Sequence, residues 1–180
     1  SEIDPKAPYY VIANTSASAV QAVNKAISQG KSVYLTDDGY IVDRDTFASL
    51  LPNYAIYGEA LYKVPNGPTL KPLKVYSPSY HYYWAGVDSP AHTSLVLEKL
   101  GFQIVDTPEE ADVVVLESNR FDASIFGKKP TLVIGGEAMQ KLEKLGVLAG
   151  FDAEKLKGGS DYEGLMKAII DDQDPLTSGY

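Results

Sequence analysis

Short apolar runs alternate with amphipathic stretches along this 180-residue chain. Tyr9-Tyr10-Val11-Ile12-Ala13 is the first run and reads as a buried strand. Asn14-Thr15-Ser16 follows, with Thr15 or Ser16 suited to cap a helix. Apolar residues then recur at Ala19, Val20, Val23, Ala26 and Ile27 with helical period, and Gly30 stands where a glycine closes a helix. Ser32 to Leu35 is a second strand, so the chain opens as a strand–helix–strand unit of β-α-β size. Asp37-Asp38-Gly39 predicts a turn, and Gly39 to Val42 a hairpin partner for the strand before it. Arg44 to Leu51 reads as a short helix and Tyr54 to Tyr57 as a further strand.

Between residues 63 and 73 the pattern stops. Pro65, Pro68 and Pro72 with Gly67 exclude both a helix and a central strand, because proline lacks the amide donor and fixes φ. This connector separates an N-terminal α/β half, residues 1–62, from a C-terminal half, residues 74–180, the two expected to pack as one unit. The second half repeats the alternation. Leu73 to Tyr76 is a strand. Ser89 and Pro90 start a helix that runs to Leu100, buries Val96, Leu97 and Leu100, and ends at Gly101. Phe102 to Val105 is a strand, and Thr107-Pro108-Glu109-Glu110 a capped helical turn. Asp112 to Glu117 and Thr131 to Ile134 are continuous apolar runs of the kind buried on both faces of a parallel sheet. Helices are expected from Glu137 to Leu145 and from Tyr162 to Asp171. Strands joined by helices imply an open, mostly parallel, Rossmann-like sheet with helices on both faces.

Charge and composition narrow the chemistry. The net charge is −8 with 16 basic residues and no dense basic cluster, which argues against nucleic acid and anionic membrane as partners. No apolar run approaches the roughly 20 residues that span a bilayer. The absence of cysteine excludes disulfides, thiolate metal sites and thiol nucleophiles. The two histidines, His81 and His92, lack the Glu spacing of a zinc peptidase helix, and no glycine-rich dinucleotide signature is present. No catalytic set, metal set or cofactor is therefore predicted.

In an open parallel sheet, ligands bind beyond the carboxyl ends of the strands. Four loops are expected there. Asn14-Thr15-Ser16 reads as a simple cap. Ser77 to Gly86 crowds Tyr80, His81, Tyr82, Tyr83 and Trp84 into one segment, either a stacking and docking surface or rings that cover the next helix. Glu117 with Asn119 ends a strand, where a carboxylate holds a ligand or caps a turn. Gly135-Gly136-Glu137 resembles a nucleophile elbow in outline, but no nucleophile stands in it, and Glu137 suits the start of a helix. A hydrolase pairing Glu117 or Glu137 with His81 is the least favoured reading.

Three stretches carry a family resemblance. They are Tyr9 to Ser16 with the following helix Ala19-Val20-Gln21-Ala22-Val23-Asn24-Lys25, Leu73-Lys74-Val75-Tyr76 leading to Leu97-Glu98-Lys99-Leu100-Gly101-Phe102, and Ala111 to Leu116. Their order resembles the class I glutamine amidotransferase-like domain that follows the catalytic domain of bacterial secreted zinc carboxypeptidases. The resemblance implies a flavodoxin-like fold, an extracellular location and a non-catalytic accessory role. It implies docking to a neighbouring domain of the parent chain, or presentation of a substrate such as a peptide or cell-wall glycan. The alternative is a carbohydrate- or small-ligand-binding module using the aromatic segment 80–84. Amidotransferase activity does not transfer, because its cysteine is missing.

Overall fold

The structure, a computed structural model, describes residues 3–78, 82–84, 87–89 and 92–148. The helix expected over 162–171 lies outside the described residues. Tyr9–Ile12 (β1), Tyr34–Thr36 (β2), Gly39–Asp43 (β3) and Gly58–Leu61 (β4) form a four-stranded sheet in the order β2-β3-β1-β4. Every pairing in it is antiparallel. This corrects the expected parallel opening unit. Ala17–Ser28 (α1) carries the chain from β1 to β2, but β3 lies between them. Arg44–Leu50 (α2) carries it from β3 to β4, with β1 between. Two split β-α-β units interlock as a β-α-β-β-α-β arrangement.

The cause is local. A two-residue turn at Asp37-Asp38 sets Thr36 opposite Gly39, so β3 folds straight back and takes the edge beside β1. Gly39 has φ 139°, and a Cβ there would lie 2.2 Å from the Ile12 carbonyl oxygen. Only glycine permits that approach. The strand expected over 54–57 starts instead at Gly58, opposite Ile12. A Cβ on Gly58 would stand 2.5 Å from the Phe47 ring.

One face of this sheet is apolar. Tyr10, Ile12 and Val42 meet Ala19, Ala22, Val23, Ala26 and Ile27 of α1 and Phe47 and Leu50 of α2. Phe47 is fully buried and stacks on Tyr10 with centroids 4.3 Å apart and planes 8° from parallel. Burial of such a ring contributes about 1.5–3 kcal/mol, and the stack about 0.5–1.5 kcal/mol more. The Ser16 hydroxyl caps α1 by accepting from the Ala19 N–H at 3.1 Å. At its other end, Gly30 and Lys31 donate back to Ile27 and Ala26, a Schellman closure.

The second sheet comprises Lys74–Tyr76 (β5), Gln103–Ile104 (β8), Val113–Leu116 (β9) and Thr131–Val133 (β10). Its order is β10-β9-β5-β8, and its pairings are all parallel, as expected for this half. Tyr82–Trp84 (β6) and Val87–Ser89 (β7) form a separate antiparallel hairpin. The segment read as an aromatic loop is thus strand where it is described, and Ser89 ends β7 instead of capping a helix. The high strand preference of Tyr, Trp and Val wins over the Ser-Pro helix start. Helix α3 spans His92–Lys99, and α4 spans Gly136–Lys144.

Alternation sorts the second sheet's residues. Val114 and Leu116 pack with Phe121 and with Ala138 and Leu142 of α4, and Tyr76 joins them. Val75, Ser77, Val115 and Glu117 then belong to the opposite face. Val96 is 52% exposed, against the expected burial, because its side of α3 turns away from the sheet; Leu97 and Leu100 are half-buried. Asp112 ties the strand starts together: Lys74 N–H donates to its carboxylate at 2.9 Å, and its own N–H donates to the Lys74 carbonyl at 2.8 Å.

The two sheets draw on separate stretches, residues 9–61 and 74–133. The connector leans on the first, with Leu70 N–H bonded to the Val33 carbonyl at 2.7 Å. A second joint links α1 to the end of α3. Gln21 Nε2 donates to the Lys99 carbonyl at 2.9 Å, and Asn24 Nδ2 to the Leu100 carbonyl at 2.8 Å. Side chains of one unit thereby satisfy helix-end carbonyls of the other. Gly101, at φ 90°, lets the chain leave α3 against Asn24.

Gly58→Ala will destabilise the fold by about 1–3 kcal/mol in urea unfolding, because the new methyl overlaps the stacked Phe47 ring. Unchanged stability would show that Phe47 has room to move. Asp43 caps α2 through Thr46, accepting from its N–H at 2.9 Å and from its hydroxyl at 2.6 Å. Partial burial opposes the charge. The Thr46 side chain and backbone, the Asp45 N–H and nearby Lys31 outweigh it and hold the carboxyl below its usual value. The unfolded chain therefore takes up this proton first as pH falls. The cap's charge-dependent stability is full above about pH 3.9 and is lost as pH falls through the lower folded value. Asp43→Asn will flatten that acid limb in unfolding measured from pH 6 to pH 2; an unchanged limb would exclude Asp43 as its source.

Candidate functional site

The parallel sheet reverses its progression once. From β5 the chain moves outward to β8, then returns across β5 to β9 and continues to β10. Connections leave the carboxyl ends of β5 and β9 in opposite directions, the position at which open α/β sheets carry their ligand crevice. Ser77 follows β5 there, and Glu117 follows β9. Both stand on the face opposite α4, since Val75 pairs with Val113 and alternation carries the register forward.

Glu117 Oε2 accepts the backbone N–H of Thr93 at 3.2 Å. Thr93 lies in the first turn of α3, so a carboxylate occupies that helix's positive end. The other oxygen, Glu117 Oε1, is sealed from solvent without a hydrogen-bond partner. Ser77 is only 6% exposed, and its Oγ also lacks a partner. Among the described residues these are the two buried side-chain polar atoms left unsatisfied. A buried polar group without a partner costs about 1–3 kcal/mol, so two such atoms at the sheet's reversal mark a place for a ligand or an ordered water.

The neighbouring loops are held by packing and charge. Gly135, at φ 88°, turns β10 into α4 with its Cβ position 3.7 Å from the Glu117 carbonyl oxygen, so Gly136 starts α4 beside the end of β9. Lys141 of α4 reaches back over this loop. Its ammonium donates to the Asn119 carbonyl at 2.8 Å and to the Phe121 carbonyl, and lies 4.4 Å from the Phe121 ring centre. Asp122 caps the 3₁₀ turn Ala123–Ile125. The Ser124 side chain and N–H, with Lys141 and Lys128 nearby, hold its carboxyl below the usual value.

The sequence-predicted residues separate accordingly. Glu117 follows β9 and Gly136 starts α4 after β10, both at the carboxyl edge of the parallel sheet. Asn119 is exposed, its carbonyl tied to Lys141, and Glu137 is exposed in the first turn of α4. Tyr82, Tyr83 and Trp84 lie in β6, and Tyr80 and His81 lie outside the described residues. The loop Asn14-Thr15-Ser16 does not share this rim, since it leaves an antiparallel sheet; Ser16 is a cap. From sequence, Ser77 falls in a loop at this edge with no role assigned to it, and Thr93 is not singled out. A serine directly after a buried strand was the available signal for Ser77. Thr93 enters through a backbone N–H, which no residue type advertises. Among the described residues no cluster of three or more acidic or histidine side chains is arranged to hold a metal, and no helix is long and apolar enough to cross a membrane.

No protein-family model matches the chain, and neither curated proteins nor solved structures show a significant match to it.

Because Ser77 Oγ has no partner to lose, Ser77→Ala will leave the ligand-free protein as stable or raise its stability by up to about 1 kcal/mol. Thermal and urea unfolding measure this; a loss above about 1 kcal/mol would reveal a structural hydrogen bond at Ser77.

Proposed function

We propose that this chain is a non-catalytic ligand-binding module whose site is the crevice between the ends of β5 and β9. The supporting observation is the pair of buried, unpartnered oxygens, Ser77 Oγ and Glu117 Oε1, at the one reversal of the parallel sheet. A partner molecule that satisfies both removes their desolvation cost on binding. Taken in chain order, the strand sequence β8-β5-β9-β10 follows the flavodoxin-like pattern 2-1-3-4, which supports a flavodoxin-like second half. The resemblance to the domain beside secreted zinc carboxypeptidases supplies the setting. In that setting the module is extracellular, docks against a catalytic neighbour and presents a peptide or cell-wall glycan to it. The aromatic segment Tyr80 to Trp84, read from the sequence as a stacking surface, belongs to the same reading.

Titration of a panel of cell-wall glycan fragments and short peptides into the chain tests the reading. Binding will shift the backbone amide signals of Ser77, Thr93 and Glu117. A panel in which no compound moves these amides removes the site.

A further inference from the structure

We infer that the ligand of this crevice is a hydrogen-bond donor without negative charge, a polyol or an amine-bearing sugar in place of the phosphate that strand-end sites commonly take. The inference rests on the binding-module reading above and adds the ligand's class. At many carboxyl-edge sites, free amides at a helix N-terminus attract an anion. Here that end is already occupied: Glu117 Oε2 accepts the Thr93 N–H of α3 at 3.2 Å. An incoming phosphate would meet a carboxylate where it needs donors, at short range and away from solvent.

What the crevice still lacks is the opposite chemistry. Glu117 Oε1 is sealed from solvent and has no donor directed at it, and an ionised carboxylate can only accept. Ser77 Oγ, 6% exposed, also has no partner and can accept or donate. Ser77 and Glu117 follow adjacent strands on one face, offset by two residues along them, so a molecule bearing several hydroxyls, or hydroxyls and an ammonium, can span both. The rest of the rim fits this assignment. Lys141, the cation of the neighbouring loop, is engaged with the Asn119 and Phe121 carbonyls and packed on the Phe121 ring. The chain carries a net charge of −8, which favours neutral or cationic ligands over anions.

Three probes separate the possibilities on the full 180-residue chain: glucosamine, glucose and inorganic phosphate. Glucosamine and glucose are expected to move the amide signals of Ser77, Thr93 and Glu117, and phosphate to leave them in place. Glu117→Gln keeps the size and the Thr93 bond while removing the charge. It is expected to weaken glucosamine binding on the order of ten- to a hundredfold and glucose binding less. Ser77→Ala serves as the second variant and is expected to weaken both sugars. Phosphate binding at these amides, or sugar binding indifferent to both variants, would overturn the assigned class. If the wider glycan and peptide panel binds there while both sugars fail, the donor class alone falls. If nothing in either set binds, the crevice holds only ordered water and the binding-module reading falls with it.

Discussion

The parallel pairing of β5 with β9 is the constraint on which the rest depends. These strands are far apart in sequence, with an entire hairpin, helix α3 and β8 between them. Their pairing makes the chain cross back over its own first strand, so consecutive connections leave the sheet in opposite directions. Any residue that follows both strands is then carried into the same crevice. Asp112 secures the pairing at its lower end by bonding Lys74 through side chain and backbone. Val114 and Leu116 secure it on one face by packing beneath α4.

The polar character of the crevice follows from the geometry of the strand ends. Inside the sheet β9 is paired with β5 on one side and β10 on the other, and its apolar side chains need no polar partner. One residue beyond Leu116 the side chain is a carboxylate, and its two oxygens meet different fates. The first amide turn of α3 satisfies one, and nothing among the described residues satisfies the other. Ser77, on the same face of the neighbouring strand, is level with Val115, two residues before it. Proteins bury unpaired polar atoms rarely, because each costs a sizeable share of the net stability of a domain. Two at the sheet's single reversal, on one face, are therefore the most informative pair of atoms in the described structure.

The N-terminal unit plays a different part. Its antiparallel sheet buries one face beneath α1 and α2 around the Tyr10–Phe47 stack. It supports the second unit through α1, where Gln21 and Asn24 satisfy the carbonyls at the end of α3. Since α3 also presents Thr93 to Glu117, the same helix is held at both of its ends, by α1 at one and by the crevice at the other. The bond to Thr93 fixes one carboxylate oxygen of Glu117 and leaves the second buried without a partner.

Much of the local structure was legible in the residues themselves. Ser16 and Gly30 bound α1, Asp37-Asp38-Gly39 turns a hairpin, and Val113 to Leu116 is a buried parallel strand, because caps, turns and apolar runs act over a few neighbours. The direction of pairing in the first sheet was not legible. A strand–helix–strand pattern looks the same whether the two strands adjoin or a third slips between them, and only the tertiary packing of β3 against β1 decides. Glu117 and Gly136 could be placed at a strand end by reading along the chain. That Glu117 meets Thr93 and shares a sheet face with Ser77 on the adjacent strand depends on strand order, a property of contacts between distant residues that no local preference encodes.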